Sequence, residues 1–159
     1  MSYYNKVGTY YDKDAVDFEQ RYHQNPALQR IRQSFRQHTK SYEQTTVLEV
    51  GFGPGFDLVH FAEQFPDRKF YGIDISAEMV RLTQEKIDRM GLQNAWVAKG
   101  SVEDIKVLYP EVQFDMIYVF FGALNTVNDL EGAFVDLRAV LSSGGRMVLT
   151  FVNRYYIAG

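Results

Sequence analysis

The stretch VLEVGFGPGFD, Val47 to Asp57, crowds Gly51, Gly53 and Gly55 into five positions just behind an acidic residue, Glu49. Glycine weakens strands and helices alike. Its accumulation directly after an apolar run marks a turn with unusual dihedrals, or a place where a ligand comes up against the main chain. A P-loop would need a Lys-Ser/Thr pair after the glycines, and none is present. A dinucleotide fingerprint, G-x-G-x-x-G/A, needs a small third residue so that the helix can pack closely, and counting from Gly51 that position is the bulky Phe56. The frame that remains is E-x-G-x-G-x-G. Elsewhere the inventory of reactive groups is thin. With no cysteine in the chain, disulfides, thiolate ligands and thiol nucleophiles are excluded. His23, His38 and His60 show no ligand spacing, so no metal site is expected.

Elements of alternating type must position the loop. TTVLEV reads as a buried strand, and GFDLVHFAEQF, with Leu58, Phe61, Ala62 and Phe65 on one stripe, as a helix. KFYGIDI reads as a second strand. The next helix, SAEMVRLTQEKIDRM, has Ser76 as its N-cap and Gly91 where a left-handed cap would close it. AWVAKG is a third strand, VEDIKVLY a short helical piece, and FDMIYVFF a strand apolar on both faces, as a central parallel strand should be. NDLEGAFVDLRAVL opens like a capping box, Asn128 with Glu131, and ends before SSGGR; RMVLTFV is the fifth strand, and NRYYIAG a short tail. Ahead of all this, Asp12 to about Lys40 carries Ala15, Phe18 and Tyr22, then Leu28, Ile31 and Phe35, at helical spacing interrupted by Asn25-Pro26. Two short amphipathic helices fit. The whole predicts an α/β fold: a doubly wound parallel sheet with helices on both faces and helices at the N-terminus.

The chain's 159 residues, 46% hydrophobic with a net charge of -3, suit one compact domain with an N-terminal extension. The acidic balance gives no electrostatic reason to expect a nucleic-acid partner. No run of eighteen apolar residues predicts a membrane span, and MSYYNKVGTYYDKD lacks the basic start and apolar centre of a signal peptide, so a cytoplasmic location is expected.

Read in order, these segments resemble the class I S-adenosylmethionine-dependent methyltransferases, in particular their small-molecule branch, from about Tyr10 to Val152. VLEVGFGPG looks like their motif I, and FYGIDIS like the second-strand motif whose acidic residue receives the ribose hydroxyls. The resemblance implies a Rossmann-like sheet of strand order 3-2-1-4-5 and S-adenosylmethionine as cofactor. It assigns Glu49, Gly51, Gly53 and Gly55 to the glycine loop, Asp74 and Ile75 to the ribose side, and Ser101, Val102 and Glu103 to the adenine side, with Asp104 as a competitor for the acidic role. The chemistry agrees for Asp74: a strand-end carboxylate can accept two hydrogen bonds from a vicinal diol, each about 1.5–3 kcal/mol for a charged acceptor. FDMIYVFFGALNTVND resembles the strand-four motif lining the face where methionine and substrate meet, which makes Phe121 and Asn125 the substrate-face candidates.

The resemblance implies methyl transfer to a small-molecule nucleophile by direct displacement. The alternative is a non-catalytic cofactor-binding or assembly module on the same fold. FFGALN stands where enzymes that methylate amino groups of DNA and of protein glutamine carry Pro-Pro-aromatic, and the lack of cysteine removes the covalent route to pyrimidine carbon. The division expected is residues 1–40 as a helical lid, with Tyr3, Tyr4, Tyr10 and Tyr11 as its aromatics, and residues 41–159 as the cofactor-binding core. Family members usually continue with antiparallel strands that this sequence lacks. The expectation is a fragment of a longer enzyme whose fifth strand is an exposed edge able to pair with a second copy as a homodimer.

Overall fold

The computed structural model describes residues 2–152; the tail NRYYIAG lies outside the described residues. Helices α1 (Tyr3–His23) and α2 (Pro26–Lys40) precede a regular alternation: β1 (Thr46–Val50), α3 (Phe56–Gln64), β2 (Lys69–Asp74), α4 (Ala77–Met90), β3 (Ala95–Lys99), α5 (Ile105–Leu108), β4 (Phe114–Val119), α6 (Leu130–Val140) and β5 (Leu141–Leu149). Single 3-10 turns, Val102–Asp104 and Ala123–Thr126, precede α5 and α6. The five strands form one sheet in the order β3-β2-β1-β4-β5, and every pairing is parallel. This is the doubly wound, Rossmann-like order expected. The order reverses at β1, where ligands of such sheets lie beyond the strand ends.

Alternation along the central strands divides the core. Val47, Phe61, Phe70, Met116 and Tyr118 fill one face of the sheet, and Leu48, Val50, Ile73, Ile117, Leu124 and Leu137 the other. Burying both faces explains why β1 and β4 are nearly continuous apolar runs. Glu49 is the exception. It sits in β1 directly opposite Tyr118 of β4 and Gly72 of β2.

Local signals set most boundaries. Asn25 accepts from the amides of Ala27 and Leu28, both at 3.1 Å, while Pro26 takes the first helical position, so the Asn-Pro interruption is the start of α2. Ser76 accepts from the Met79 amide, and Gly91 closes α4 in the left-handed conformation, as expected. Three boundaries differ. α1 opens at Tyr3 rather than at Asp12, because Ser2 caps it and its first turns dock across the strand ends. The N-cap of α6 is Asp129, accepting from the Gly132 amide at 3.0 Å; the amide of Asn128 donates instead to the Tyr4 hydroxyl. β5 begins at Leu141 and ends at Leu149, with an irregularity in which Phe114 pairs with Leu141 but Met116 with Arg146, so the SSGG segment bulges out of the ladder instead of forming a separate turn. Among the described residues β5 pairs with β4 alone, and no helix is long and apolar enough to cross a membrane.

Candidate active site

The glycine loop leaves β1 with Gly51, Gly53 and Gly55 all at positive φ. At Gly51 a Cβ would lie 2.4 Å from the Cβ of Ala123, and at Gly55 it would lie 2.5 Å from Cγ2 of Thr83, so two neighbouring elements press on the loop where glycine leaves room. At Gly53 nothing stands within 4 Å, and the main chain is open to a ligand. Side chains one turn apart on α4 hold the loop from behind. Thr83 Oγ1 donates to the Gly53 carbonyl at 3.0 Å and Lys86 Nζ to the Pro54 carbonyl at 2.6 Å. Neither residue stands out in the sequence, because nothing in a helical stripe tells which polar side chain meets a loop.

Asp74 closes the other side of the loop. Its Oδ2 accepts from the Gly53 amide at 2.8 Å and its Oδ1 from the Ser76 amide at 2.9 Å, which leaves a lone pair on each oxygen for a ligand. Burial pushes its carboxyl up from 3.8 to about 6, against the pull of the Ser76, Gly53 and Ile75 amides. Ser76 also donates through Oγ to Asp12 Oδ1 at 2.6 Å, and the Glu78 amide donates to the same oxygen. Asp12 thus ties α1 to the first turn of α4 beside Asp74.

At the β3 end, Asp104 folds back on its own turn, accepting from the Ser101 amide at 2.8 Å and the Ser101 hydroxyl at 3.1 Å. Glu103 turns outward and accepts from the Tyr4 hydroxyl at 3.0 Å, joining this loop to α1. Ser101 and Val102 remain on the cavity wall.

A cavity of about 280 Å³ runs beneath α1 over the strand ends. It gathers Glu49, Gly51, Gly53, Asp74, Ile75, Ser101, Val102 and Phe121 from among the expected residues. Gly55 shapes the loop from behind. Glu103 and Asn125 do not line the cavity. Asn125 accepts from the Val152 amide at 2.9 Å and donates to the Val152 carbonyl at 3.2 Å, which spends its side chain on the segment just past β5. The N-terminal wall is Tyr4, Tyr11, Phe18, Tyr22, Leu28 and Arg32, so two of the four N-terminal tyrosines singled out reach the cavity.

The end of β4 brings the largest addition. Phe121 lies at φ 56, a left-handed conformation unusual for a side chain of this size. Its ring covers the guanidinium of Arg32 at 4.5 Å; Tyr22 and Phe56 flank the same group at 4.7 and 5.0 Å. Arg32 and Arg36 both pair with Asp57, Arg36 Nε at 2.7 Å, and Asp57 is 1% exposed. Beside them Glu49, 3% exposed, accepts from the Tyr118 hydroxyl at 2.7 Å. Burial holds the Glu49 carboxyl well above the usual glutamate range, with the negative Asp57 adding to the effect.

Known proteins share this arrangement of strands and loop. Residues 41–156 match the family model described as a methyltransferase domain. A tRNA (guanine-N(7)-)-methyltransferase of Edwardsiella ictaluri is 35% identical over 80 residues, 50% of this chain and 34% of its own length. Malonyl-[acyl-carrier protein] O-methyltransferase 1 of Ilyobacter polytropus is 31% identical over 117 residues, 73% of this chain and 41% of its own. The chain thus spans less than half the length of either relative. The solved DhpI–SAH complex is 20% identical and superposes with a TM-score of 0.70 over 89% of this chain and 65% of that one.

Proposed function

The chain belongs to the class I S-adenosylmethionine-dependent methyltransferases, and from that premise we propose that it binds S-adenosylmethionine in the cavity beneath α1 and directs its methyl group to a small-molecule nucleophile. The observation that carries the reading is Asp74. It is a buried carboxylate on the cavity wall, latched to the glycine loop and keeping one lone pair on each oxygen. A vicinal diol needs that acceptor. The open main chain at Gly53 fits the approach of a ligand carrying no phosphate.

In this reading Asp74 holds the ribose with Ile75 alongside, Ser101 and Val102 border the adenine, and Glu49, Gly51 and Gly53 receive the amino-acid end. The bound cofactor supplies an electrophilic methyl group on a sulfonium. The protein's part is to align the acceptor in line with it and to keep water out. Phe121, Phe18 and Tyr22 offer an apolar, aromatic acceptor side, and Arg32 is stacked rather than free to range. The enclosing α1 wall and the net charge of -3 favour a small molecule over a polyanion. The matched relatives include enzymes named for tRNA, which makes tRNA the competing acceptor to test. Residues 1–40 act as the lid and residues 41–159 as the core; support for this division is that the family match begins at residue 41.

The test is calorimetric titration with S-adenosylhomocysteine and, separately, with NAD, on the wild-type chain and Asp74→Ala. Micromolar binding of the adenosyl ligand, lost in the variant and absent for NAD, is expected. A folded chain that binds neither sinks the reading. Turnover with a small-molecule panel and with unmodified tRNA then separates the acceptor classes.

A further inference from the structure

We propose that, resting on the cofactor reading above, Glu49 is the neutral acid in the ligand-free protein and gives its proton to solvent when the cofactor's ammonium group enters, with Tyr118 as the positioning residue that sets the carboxyl for this exchange. The local cations serve a different carboxylate. From α2, Arg32 and Arg36 both pair with Asp57 of α3. Asp57 lies in the first turn of α3, where the helix dipole also favours an anion. The strand partner of Glu49 in β2 is Gly72, which offers no charge, and from β4 only the Tyr118 hydroxyl reaches it. Glu49 therefore has a donor on Oε2 and no cation of its own.

An ionised carboxylate that is 3% exposed, facing a second buried carboxylate and holding one neutral hydrogen bond, is costly. The direction found for Glu49, well above the ordinary range through burial and Asp57, agrees with that. With Glu49 neutral, two arginines against one aspartate leave the cluster one positive charge in excess. An incoming ammonium adds another. Ionisation of Glu49 cancels it, and the proton leaves to the buffer. Tyr118, fully buried, fixes which oxygen is spent on the protein, so that the other is the one turned to the cavity wall that Glu49 helps to form.

Asp74 also titrates and also meets the cofactor, so the experiment must separate the two. S-adenosylhomocysteine and methylthioadenosine share the adenosine and the thioether, but only the first carries an amino-acid end. Calorimetry of each ligand at about pH 6.5, in buffers of different ionisation enthalpy, counts protons released. S-adenosylhomocysteine is expected to release more than methylthioadenosine, by up to about one proton. In Glu49→Gln, which keeps an acceptor for Tyr118, the difference vanishes and S-adenosylhomocysteine weakens about tenfold or more, while methylthioadenosine changes less than about twofold. Tyr118→Phe removes a donor that favours the ionised form, so the pH at which the preference for S-adenosylhomocysteine levels off moves upward. Equal proton counts for the two ligands on the wild-type chain, or a difference that survives in Glu49→Gln, overturn the proposal while leaving cofactor binding intact. Failure of a folded chain to bind either ligand overturns both the proposal and the reading it rests on.

Discussion

The two ends of the cavity are built on opposite terms. Around the glycine loop and Asp74, main-chain groups do most of the holding: amides of Gly53 and Ser76 on a carboxylate, carbonyls of Gly53 and Pro54 taken by Thr83 and Lys86. Around β4, side chains from distant elements meet in a charged cluster wrapped in aromatic rings, with Arg32, Arg36, Asp57, Glu49 and Tyr118 at its centre. Backbone contacts of the first kind are neutral and local, and they prearrange a site at small electrostatic cost. Buried ions of the second kind hold their shape only while every partner is present. One end is a mould, and the other is a balance of charges.

The comparison is broken most severely at Asp57. Asp57→Ala leaves two arginines without their shared anion, and chemical denaturation is expected to show a loss of about 3–5 kcal/mol. A loss below about 1 kcal/mol would mean that the cluster is held by its aromatic packing rather than its charges. At the other end, Asp74→Asn is expected to weaken S-adenosylhomocysteine about tenfold or more at neutral pH with little loss of stability, because the amide cannot accept from the diol as a carboxylate does. The pH dependence comes from the raised value, about 6 against 3.8. The protonated form of Asp74 stabilises the ligand-free fold at low pH, fully below about 4, and that contribution is lost as pH rises through about 6. The diol donates to the ionised form, so affinity for methylthioadenosine climbs between about pH 5 and 7 in the wild-type chain and is flat across that range in Asp74→Asn. A profile equally steep in both would remove Asp74 from the ribose role. The smallest change sharpens the contrast: Thr83→Val deletes only the bond to the Gly53 carbonyl and is expected to cost about 1 kcal/mol and a few-fold in affinity.

The same division separates what the sequence reveals from what it hides. The glycine loop, Asp74 and the Ser101–Asp104 turn are each a short run of neighbours, and their residue types declare the turn or cap they make. The ends of α4 are legible for the same reason, through Ser76 and Gly91. The charged cluster is not. Arg32 meets Asp57 across 25 positions and Glu49 meets Tyr118 across 69, and no local pattern in either segment points to the other. Glu49 can be singled out as chemically interesting, but its state depends on which neighbour claims the arginines. Asn125, read as a substrate-face residue, spends its amide on Val152 because the chain beyond β5 passes close by, and that proximity has no trace in FFGALN.

The ties of α1 also bear on the order in which the chain is made. Asp12 meets Ser76 and Glu78, Glu19 meets Lys86, and Tyr4 meets Glu103 and Asn128. During synthesis the first helix to emerge therefore waits for most of the sheet before its last contact is available. Loops at the strand ends can settle while still uncovered, and the segment translated first is the one that docks last.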